Sequence, residues 1–287
     1  MHETVAFDAL GYTFRVKAQD RPLIALINDL FLPMAKSVRP EHEYAFRVLP
    51  DGDHRSQQLT LDEEPLGGTF TPARLLPMLV HQVNQNAIGG CDFLVLHAGG
   101  VEQDGAGLVF PGEMEAGKTT LVAGLVRAGF GYLTDEAVAL DRQTLEIHPY
   151  PKPLSIDRGA WHLFPELEPH ADLTTGEDET EQWQVPAQAI RTNALGNPCA
   201  VAVIVFPRYS KGAHTALEPM HRSEALVELT RHTFKFNEQA REALDLLADV
   251  VRGAESYRLT TGALESAVDA VRGLVGVSPS ADAESNS

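Results

Sequence analysis

Residues 111–120, PGEMEAGKTT, restrict the possible folds of this chain more than any other stretch of its sequence. They match the motif G-x-x-x-x-G-K-[ST], whose fixed positions here are Gly112, Gly117, Lys118 and Thr119. In this motif the N–H groups of a glycine-containing turn and of the following helix N-terminus surround an anion. The motif needs a strand before it and a helix after it, and the chain offers an apolar GLVF and an amphipathic TTLVAGLVRA. This context predicts a phosphate-binding loop in an α/β fold.

The phosphate-binding loop implies a role for each of its residues. We expect its backbone to bind the phosphates of a nucleotide, with contributions from Gly112, Glu113, Met114, Glu115, Ala116, Gly117, Lys118, Thr119 and Thr120. The Lys118 ammonium should reach the β- and γ-phosphates, and the Thr119 hydroxyl should bind Mg²⁺. Thr120 should add a further phosphate contact.

Two carboxylates, Glu113 and Glu115, are unusual in a loop that holds an anion. A carboxylate ~8 Å from a phosphate charge is repelled by ~2 kcal/mol at an effective dielectric constant of ~20. We therefore expect both side chains to point away from the phosphates, towards solvent, a basic side chain or a second substrate. One hypothesis is that they weaken nucleotide binding or face a cationic acceptor; the other is that they are solvated residues without a role.

Charge and composition exclude several functional classes. The formal net charge of −17 argues against a nucleic-acid-binding protein, which needs basic surface patches. Cys91 and Cys199 lack the spacing of a zinc site, and both are expected to be reduced thiols. No apolar run approaches the ~20 residues of a membrane span, and residues 1–10 lack the features of a signal peptide. We therefore expect a cytoplasmic protein without a membrane or nucleic-acid partner.

A length of 287 residues accommodates two domains. Residues 1–88 combine strand and helix patterns, with paired strands around Leu10-Gly11, and are expected to form a small N-terminal α+β domain. Residues 89–276 contain the phosphate-binding loop and are expected to form a nucleotide-binding domain. Residues 277–287 lack apolar anchors, which predicts a disordered tail.

Individual elements can be anticipated from turn and capping signals. Thr71 is expected to cap the helix that Pro72 begins, and Asn237 to cap a helix that runs to about Val251. Gly129 is expected to end the helix after the phosphate-binding loop. The continuous apolar run AVAVIVF predicts a central strand. The acidic stretch 172–182 is expected to be a mobile loop.

Many phosphate-loop proteins hold magnesium with an Asp at the end of a second apolar strand. The strand AVAVIVF ends in Pro207-Arg208 and has no such acid. The segment AVALD ends in Asp141, which fits the pattern formally. However, Asp141 is at the far end of a strand that begins beside Asp135-Glu136, so it is a minor candidate for a magnesium ligand.

The order of motifs around the loop resembles the HPr kinase/phosphorylase group, which shares its fold with the ATP-dependent phosphoenolpyruvate carboxykinases. The matching features are a histidine at a strand end followed by Gly-Gly-Val, the loop itself, and two adjacent acids. Here they are His97 with residues 99–101, Gly112 to Thr119, and Asp135-Glu136. The segments YPKPLSI and VIVFPRY resemble a branch of HPr-kinase-related proteins, some of which phosphorylate ribosomally made peptides such as lasso precursors.

This resemblance implies roles for three residues. Asp135 would be the general base that takes the proton from an acceptor hydroxyl, and Glu136 would help to hold Mg²⁺. His97 would lie beside Asp135 and orient it. Such roles suit phosphoryl transfer, which needs positioning, charge neutralisation and a base near the nucleophile. The alternatives are a surface turn at Asp135-Glu136 and an ordinary histidine at the end of a strand.

Two cations at the ends of predicted elements are further candidates for phosphate contacts. Arg208 follows the predicted central strand, at the edge of the sheet where α/β proteins bind ligands. Lys152 lies among prolines that would restrict its direction. For Arg208 a surface ion pair is the alternative. Arg231 and His232 lie at a predicted helix end, where basic side chains interact favourably with the negative end of the helix dipole.

The sequence and the resemblance together predict an α/β protein with a phosphoenolpyruvate carboxykinase-like phosphate-loop kinase domain. The expected activity is transfer of a phosphoryl group from ATP, with Mg²⁺, to a hydroxyl, with a serine of a peptide or protein as the favoured acceptor. A small-molecule hydroxyl is an alternative acceptor. A regulatory nucleotide-binding protein without catalysis is the alternative from another class. The resemblance also allows a homo-oligomer.

Overall fold

The computed structural model describes residues 1–49, 57–114, 116–168 and 182–275. Sixteen strands are present in these ranges: β1 (His2–Glu3), β2 (Phe7–Ala9), β3 (Tyr12–Ala18), β4 (His42–Val48), β5 (Gln57–Leu61), β6 (Glu64–Phe70), β7 (Leu94–Gln103), β8 (Ala106–Pro111), β9 (Gly131–Thr134), β10 (Ala137–Leu140), β11 (Glu146–His148), β12 (Leu154–Asp157), β13 (Gln182–Val185), β14 (Cys199–Tyr209), β15 (Ala216–Pro219) and β16 (Glu255–Thr261). The α-helices in these ranges are α1 (Arg21–Phe31), α2 (Pro72–Gly90), α3 (Lys118–Arg127), α4 (Ala187–Ile190), α5 (Arg222–Arg231), α6 (Ala240–Gly253) and α7 (Leu264–Val275).

The chain has a mixed α/β architecture, as the sequence predicts, and it divides into two compact units. The first unit contains Met1–Val95 and Pro149–Leu195, and the second contains Leu96–His148 and Gly196–Ser287. Residues 149–195 belong to the first unit here, whereas the sequence predicts that they fall in the nucleotide-binding domain. The domain boundaries themselves stay a prediction. The expected tail (277–287), most of the acidic stretch (172–182) and Glu115 lie outside the described residues. Within the described residues, no helix combines the length and hydropathy that crossing a membrane requires.

The first unit is built on a six-stranded sheet in the order β1-β3-β4-β5-β6, with β2 paired to β3. β3 and β4 are parallel and are connected through α1, whereas the other pairs are antiparallel. The predicted hairpin at Leu10-Gly11 is confirmed, because both residues have positive φ and join Ala9 to its partner Tyr12. The unit also contains the antiparallel pair β12–β13.

The second unit is built on an eight-stranded sheet in the order β11-β10-β7-β8-β14-β16-β15, with β9 paired to β7. Its centre is parallel: β14 lies between β8 and β16 and runs in the same direction as both. This confirms the prediction that AVAVIVF is a central strand. Residues 203–206 of β14 are buried, as expected of a strand covered on both faces.

Two adjacent glycines allow β7 to approach its neighbours closely. A Cβ added at Gly99 would lie 2.6 Å from Cγ2 of Val122 in α3. A Cβ added at Gly100 would lie 3.1 Å from Cγ2 of Val138 in β10. Since real Cβ atoms do not tolerate a separation of 2.6 Å, the lack of a side chain at Gly99 allows β7 to pack closely against α3. This packing positions the strand that carries His97.

Neither Thr71 nor Asn237 caps its helix in the predicted way. Thr71 precedes α2 as expected, but its side chain makes no capping hydrogen bond. Asn237 lies within a 3₁₀ turn, Phe236–Glu238, and the next helix is preceded instead by Gln239. A capping residue must combine extended backbone with an oxygen directed at the first turn, and sequence position alone does not ensure that geometry. Gly129, by contrast, has φ 115° beyond the end of α3, so this terminator is confirmed.

Candidate functional site

The loop between β8 and α3 has the strand–loop–helix arrangement that the sequence predicts. β8 ends at Pro111, and α3 begins at Lys118. Gly117, directly before the helix, has φ 86° and ψ 14°, a left-handed conformation that glycine adopts without steric cost. The first N–H groups of α3 have no partner within the helix, as at any helix N-terminus. The loop can therefore present backbone donors to an anion.

Lys118 is directed back into the loop that precedes it. Its side-chain nitrogen Nζ donates hydrogen bonds to the carbonyl oxygens of Gly112, at 2.8 Å, and of Glu113, at 2.7 Å. These bonds use two of the three donors of the ammonium group. Only 7% of the residue is exposed. Burial lowers the pKa of Lys118, while the negative charges of Glu136, Asp135 and Glu113 oppose that shift.

Asp135 is a buried carboxylate in contact with the first turn of α3. It is 2% exposed and follows directly after β9. Its Oδ2 accepts a hydrogen bond of 3.1 Å from the Thr119 hydroxyl, and its Oδ1 accepts one of 3.1 Å from the Tyr132 hydroxyl. A carboxylate this deeply buried is not part of a solvated surface turn, so that alternative is wrong for Asp135.

The turn that carries the acidic pair is shaped by Thr134. The Thr134 hydroxyl oxygen accepts hydrogen bonds from the backbone N–H of Glu136, at 3.4 Å, and of Ala137, at 3.3 Å. Glu136 is partly exposed, and its carbonyl oxygen accepts a bond of 3.0 Å from the Ala98 N–H of β7. The negative charge of Glu136 acts on both Lys118 and His97. The two acids therefore lie in the electrostatic environment of the loop.

His97 joins the phosphate-binding loop to a second segment of the chain. Its carbonyl oxygen accepts a hydrogen bond of 3.4 Å from the Gly112 N–H, and its own N–H donates one of 2.6 Å to the carbonyl of His232. Its ring lies 5.6 Å from that of Phe234. Burial and the charge of Lys118 lower the pKa of His97, and Glu136 opposes them. His97 therefore lies at the loop. It is within β7 (Leu94–Gln103), so the expected position at a strand end is wrong, and its place beside Asp135 stays a prediction.

His232 is a residue of this site that the sequence does not reveal. Its position after α5 agrees with the expected place at a helix C-terminus, but the structure also brings it to His97. Burial and the charge of Lys118 lower the pKa of His232, whereas Glu228 and Glu113 oppose the shift. No spacing signal could identify His232, because its link to the loop is a backbone hydrogen bond between distant segments.

The other predicted phosphate contacts, Arg208, Lys152 and Thr120, differ from one another in their surroundings. Arg208 is exposed near the end of β14, and its contact with phosphate stays a prediction. Lys152 belongs to the first unit, where it is 1% exposed and its Nζ donates to the Pro153 carbonyl at 3.2 Å. A contact of Lys152 with phosphate stays a prediction. Thr120 is partly exposed in the first turn of α3.

Asp141, the minor magnesium candidate, has a local structural role. Its Oδ1 accepts hydrogen bonds of 2.8 Å from the backbone N–H groups of Gln143 and Thr144. These bonds lower the pKa of its carboxyl group. Such a pattern is typical of an Asp that stabilises a turn through its own following backbone.

The residues at the loop fit a magnesium ion that is bound partly by the protein and partly by the phosphates of a substrate. Among the described residues, no group of three or more His, Cys, Asp or Glu could hold a metal ion by itself. Magnesium at phosphoryl-transfer sites is usually bound by one or two carboxylates together with substrate phosphates and water, so a complete protein cage is not required. Thr119 and Asp135 already place a hydroxyl and a carboxylate oxygen 3.1 Å apart.

In comparisons with known proteins, no protein-family model matches the chain, and no curated protein matches it. The functional interpretation therefore rests on the geometry of the loop, the acidic pair and the two histidines.

Proposed function

We propose that this protein is an ATP- and Mg²⁺-dependent kinase that transfers the γ-phosphoryl group to a hydroxyl, with a serine of a peptide or protein as the favoured acceptor. The fold of its nucleotide-binding domain would be the phosphoenolpyruvate carboxykinase-like fold of HPr-kinase-related enzymes. The observation that carries the proposal is the hydrogen bond between Thr119 and the buried Asp135. It links a phosphate-binding helix terminus to a carboxylate, which are the two parts that phosphoryl transfer to a hydroxyl requires.

Asp135 would act as the general base. In the proposed step the acceptor oxygen attacks the γ-phosphorus, the bond from that phosphorus to the β–γ bridging oxygen breaks, and ADP leaves. The acceptor proton passes to the Asp135 carboxylate. Tyr132 and Thr119 each donate to one carboxylate oxygen and would keep the group in a single orientation.

Lys118 would stabilise the negative charge on the phosphates during transfer. Its ammonium lies against the loop carbonyls and has one further donor. Thr119 and Glu136 would hold Mg²⁺, which supplies charge neutralisation on the β- and γ-phosphates. His97 would orient the acidic pair through the β7 backbone, because Ala98, the next residue, donates to the Glu136 carbonyl.

The burial of Asp135 indicates that its carboxylate has a role at the loop. A carboxylate loses considerable solvation free energy when it is buried, and hydrogen bonds and nearby cations only partly compensate. Proton transfer from an acceptor would give the carboxylate such a role, and the variant Asp135→Asn tests it.

The proposal is tested by phosphate transfer from γ-labelled ATP into candidate peptides and host extract, followed by mass spectrometry. Asp135→Asn preserves the shape of the side chain and should abolish labelling, while ATP still raises the melting temperature. Lys118→Ala should remove that ATP-induced stabilisation. Normal transfer by Asp135→Asn would show that the assignment of the base is wrong. A wild-type protein that hydrolyses ATP but labels no acceptor would favour the regulatory alternative.

A further inference from the structure

An exposed tyrosine lies directly against the phosphate-binding loop. Tyr209 is the last residue of β14, and 57% of it is exposed. A Cβ added at Gly117 would lie 3.7 Å from the Tyr209 Cβ, so the tyrosine adjoins the glycine that precedes α3. Met114, within the loop, is 84% exposed. Two large apolar side chains are thus exposed at a loop whose expected ligand carries a flat aromatic base.

The position of Tyr209 is set by the sheet rather than by a mobile loop. β14 is parallel to β8, with Ile204 opposite Val109, so its last residues extend past the end of β8 alongside the loop. Tyr209 pairs with Thr261 of β16, and the next N–H, of Ser210, donates to the Thr261 carbonyl at 2.9 Å. Ligands of open α/β sheets bind at this carboxyl edge of the parallel strands.

The sheet order indicates which end of a bound nucleotide would face Tyr209. β8 has β7 on one side and β14 on the other. His97 belongs to β7, and Asp135 follows β9, which also pairs with β7. The phosphate that is transferred must face Asp135, so the nucleoside end of the ligand extends in the opposite direction, towards β14.

Strand alternation distinguishes Tyr209 from its neighbour Arg208. Successive residues of a strand point to opposite faces of the sheet. The Cβ of Tyr209 is directed to the side on which Gly117 lies, so Arg208 points to the other face at this position. The tyrosine is therefore the better placed of the two to contact a ligand held by the loop.

We propose that Tyr209 stacks on the nucleoside base of the bound nucleotide and so sets the affinity of the site for a nucleotide over a bare phosphate chain. This inference rests on the proposed nucleotide-binding function. Stacking of a base on an aromatic side chain contributes about 5- to 150-fold in affinity. Every base has a π-face, so the contribution should be similar for adenine and guanine nucleotides.

The test is isothermal titration of the full chain with ATP and, separately, with inorganic tripolyphosphate, each with Mg²⁺. Tyr209→Ala should weaken ATP binding at least 5-fold and leave tripolyphosphate binding unchanged. Tyr209→Phe keeps the ring and should bind ATP like the wild type. Leu244→Ala removes another exposed apolar side chain of the same unit, on α6, and should alter neither affinity.

Three results would overturn the inference. Equal weakening of ATP and tripolyphosphate by Tyr209→Ala would mean that the side chain supports the loop and does not contact the base. Unchanged ATP binding by Tyr209→Ala, in a protein that binds ATP normally, would refute the stacking role alone. Failure of the wild-type protein to bind either ligand would refute the proposed function and this inference together.

Discussion

The Thr119 hydroxyl donates a hydrogen bond of 3.1 Å to the carboxylate of Asp135, which joins the first turn of α3 to the end of β9. The two residues belong to different elements, and each is accounted for by a separate sequence motif. Their contact means that a change in the first turn of α3 should alter the surroundings of the proposed base, and the reverse.

Replacement of Thr119 by Val should reduce phosphate transfer at least tenfold. The variant keeps the shape of the side chain but removes both a proposed magnesium ligand and a hydrogen bond to a charged group, which is worth about 1.5–3 kcal/mol. Thr119→Ser retains the hydroxyl and should stay within a few-fold of the wild type. The measurement is the transfer rate against Mg²⁺ concentration. Equal rates for the Val and Ser variants would contradict a role for the hydroxyl.

Replacement of Tyr132 by Phe should lower the transfer rate without loss of ATP binding. The ring is fully buried, and its hydroxyl donates to Asp135 Oδ1. Without that donor a buried carboxylate loses one partner, which costs about 1–3 kcal/mol of stability. Chemical denaturation and single-turnover kinetics measure the two effects. In Asp135→Asn the same substitution should cost less stability, and an equal cost in both backgrounds would argue against this hydrogen bond.

Introducing a methyl group at Gly99 should destabilise the second unit by about 1–3 kcal/mol. The new Cβ would lie 2.6 Å from Cγ2 of Val122, so either the Val122 side chain or the spacing between β7 and α3 would have to change. Truncation of the neighbour in the double variant Gly99→Ala/Val122→Ala should recover part of the loss. A double-mutant cycle of unfolding free energies measures this coupling. Strictly additive effects would show that the two positions do not clash.

Stability should fall as the pH drops below about 6.5, the ordinary pKa of histidine. Burial and Lys118 lower the pKa of His97 and His232 in the folded protein. The unfolded chain then binds more protons than the folded one. Above the unfolded-state pKa of about 6.5 this contribution to stability is complete. It is lost as the pH falls towards the lower pKa values of the folded protein, by at most about 1.4 kcal/mol per pH unit for each histidine.

The pH effect is measured by denaturation between pH 5 and 8. His97→Gln and His232→Gln should each flatten the dependence. His81→Gln, which changes an exposed histidine of the first unit, should leave it unchanged. An unaltered dependence in both site variants would mean that neither histidine is the source.

Removal of the Glu113 charge should strengthen ATP binding a few-fold. The residue is exposed, and its charge acts on Lys118 and on His232. Glu113→Gln removes repulsion between this carboxylate and the phosphates, which solvent screens. The double replacement of Glu113 by Ser and Glu115 by Gly extends the test to the second glutamate. Unchanged ATP affinity and unchanged acceptor turnover would identify both glutamates as solvated residues without a role.

Much of the local structure follows from the sequence. The strand–loop–helix around Lys118, the central strand β14, the Leu10-Gly11 hairpin and the end of α3 at Gly129 were all predictable. Each depends on residues that are close in the chain: glycines that accept positive φ, a run of apolar side chains, or a motif of fixed spacing. Short-range sterics and burial patterns are sufficient to determine such features.

The tertiary structure alone decided how these parts meet. It buried Asp135 against Thr119, joined His232 to His97 through a backbone hydrogen bond, and left Tyr209 beside Gly117. Each contact joins segments that are distant in the chain. Sheet order and helix packing bring these segments together, and no local sequence pattern encodes that arrangement. The sequence by itself determined that a glycine-containing loop would join a strand to a helix at Lys118, because those signals are local, and packing determined which side chains surround that loop.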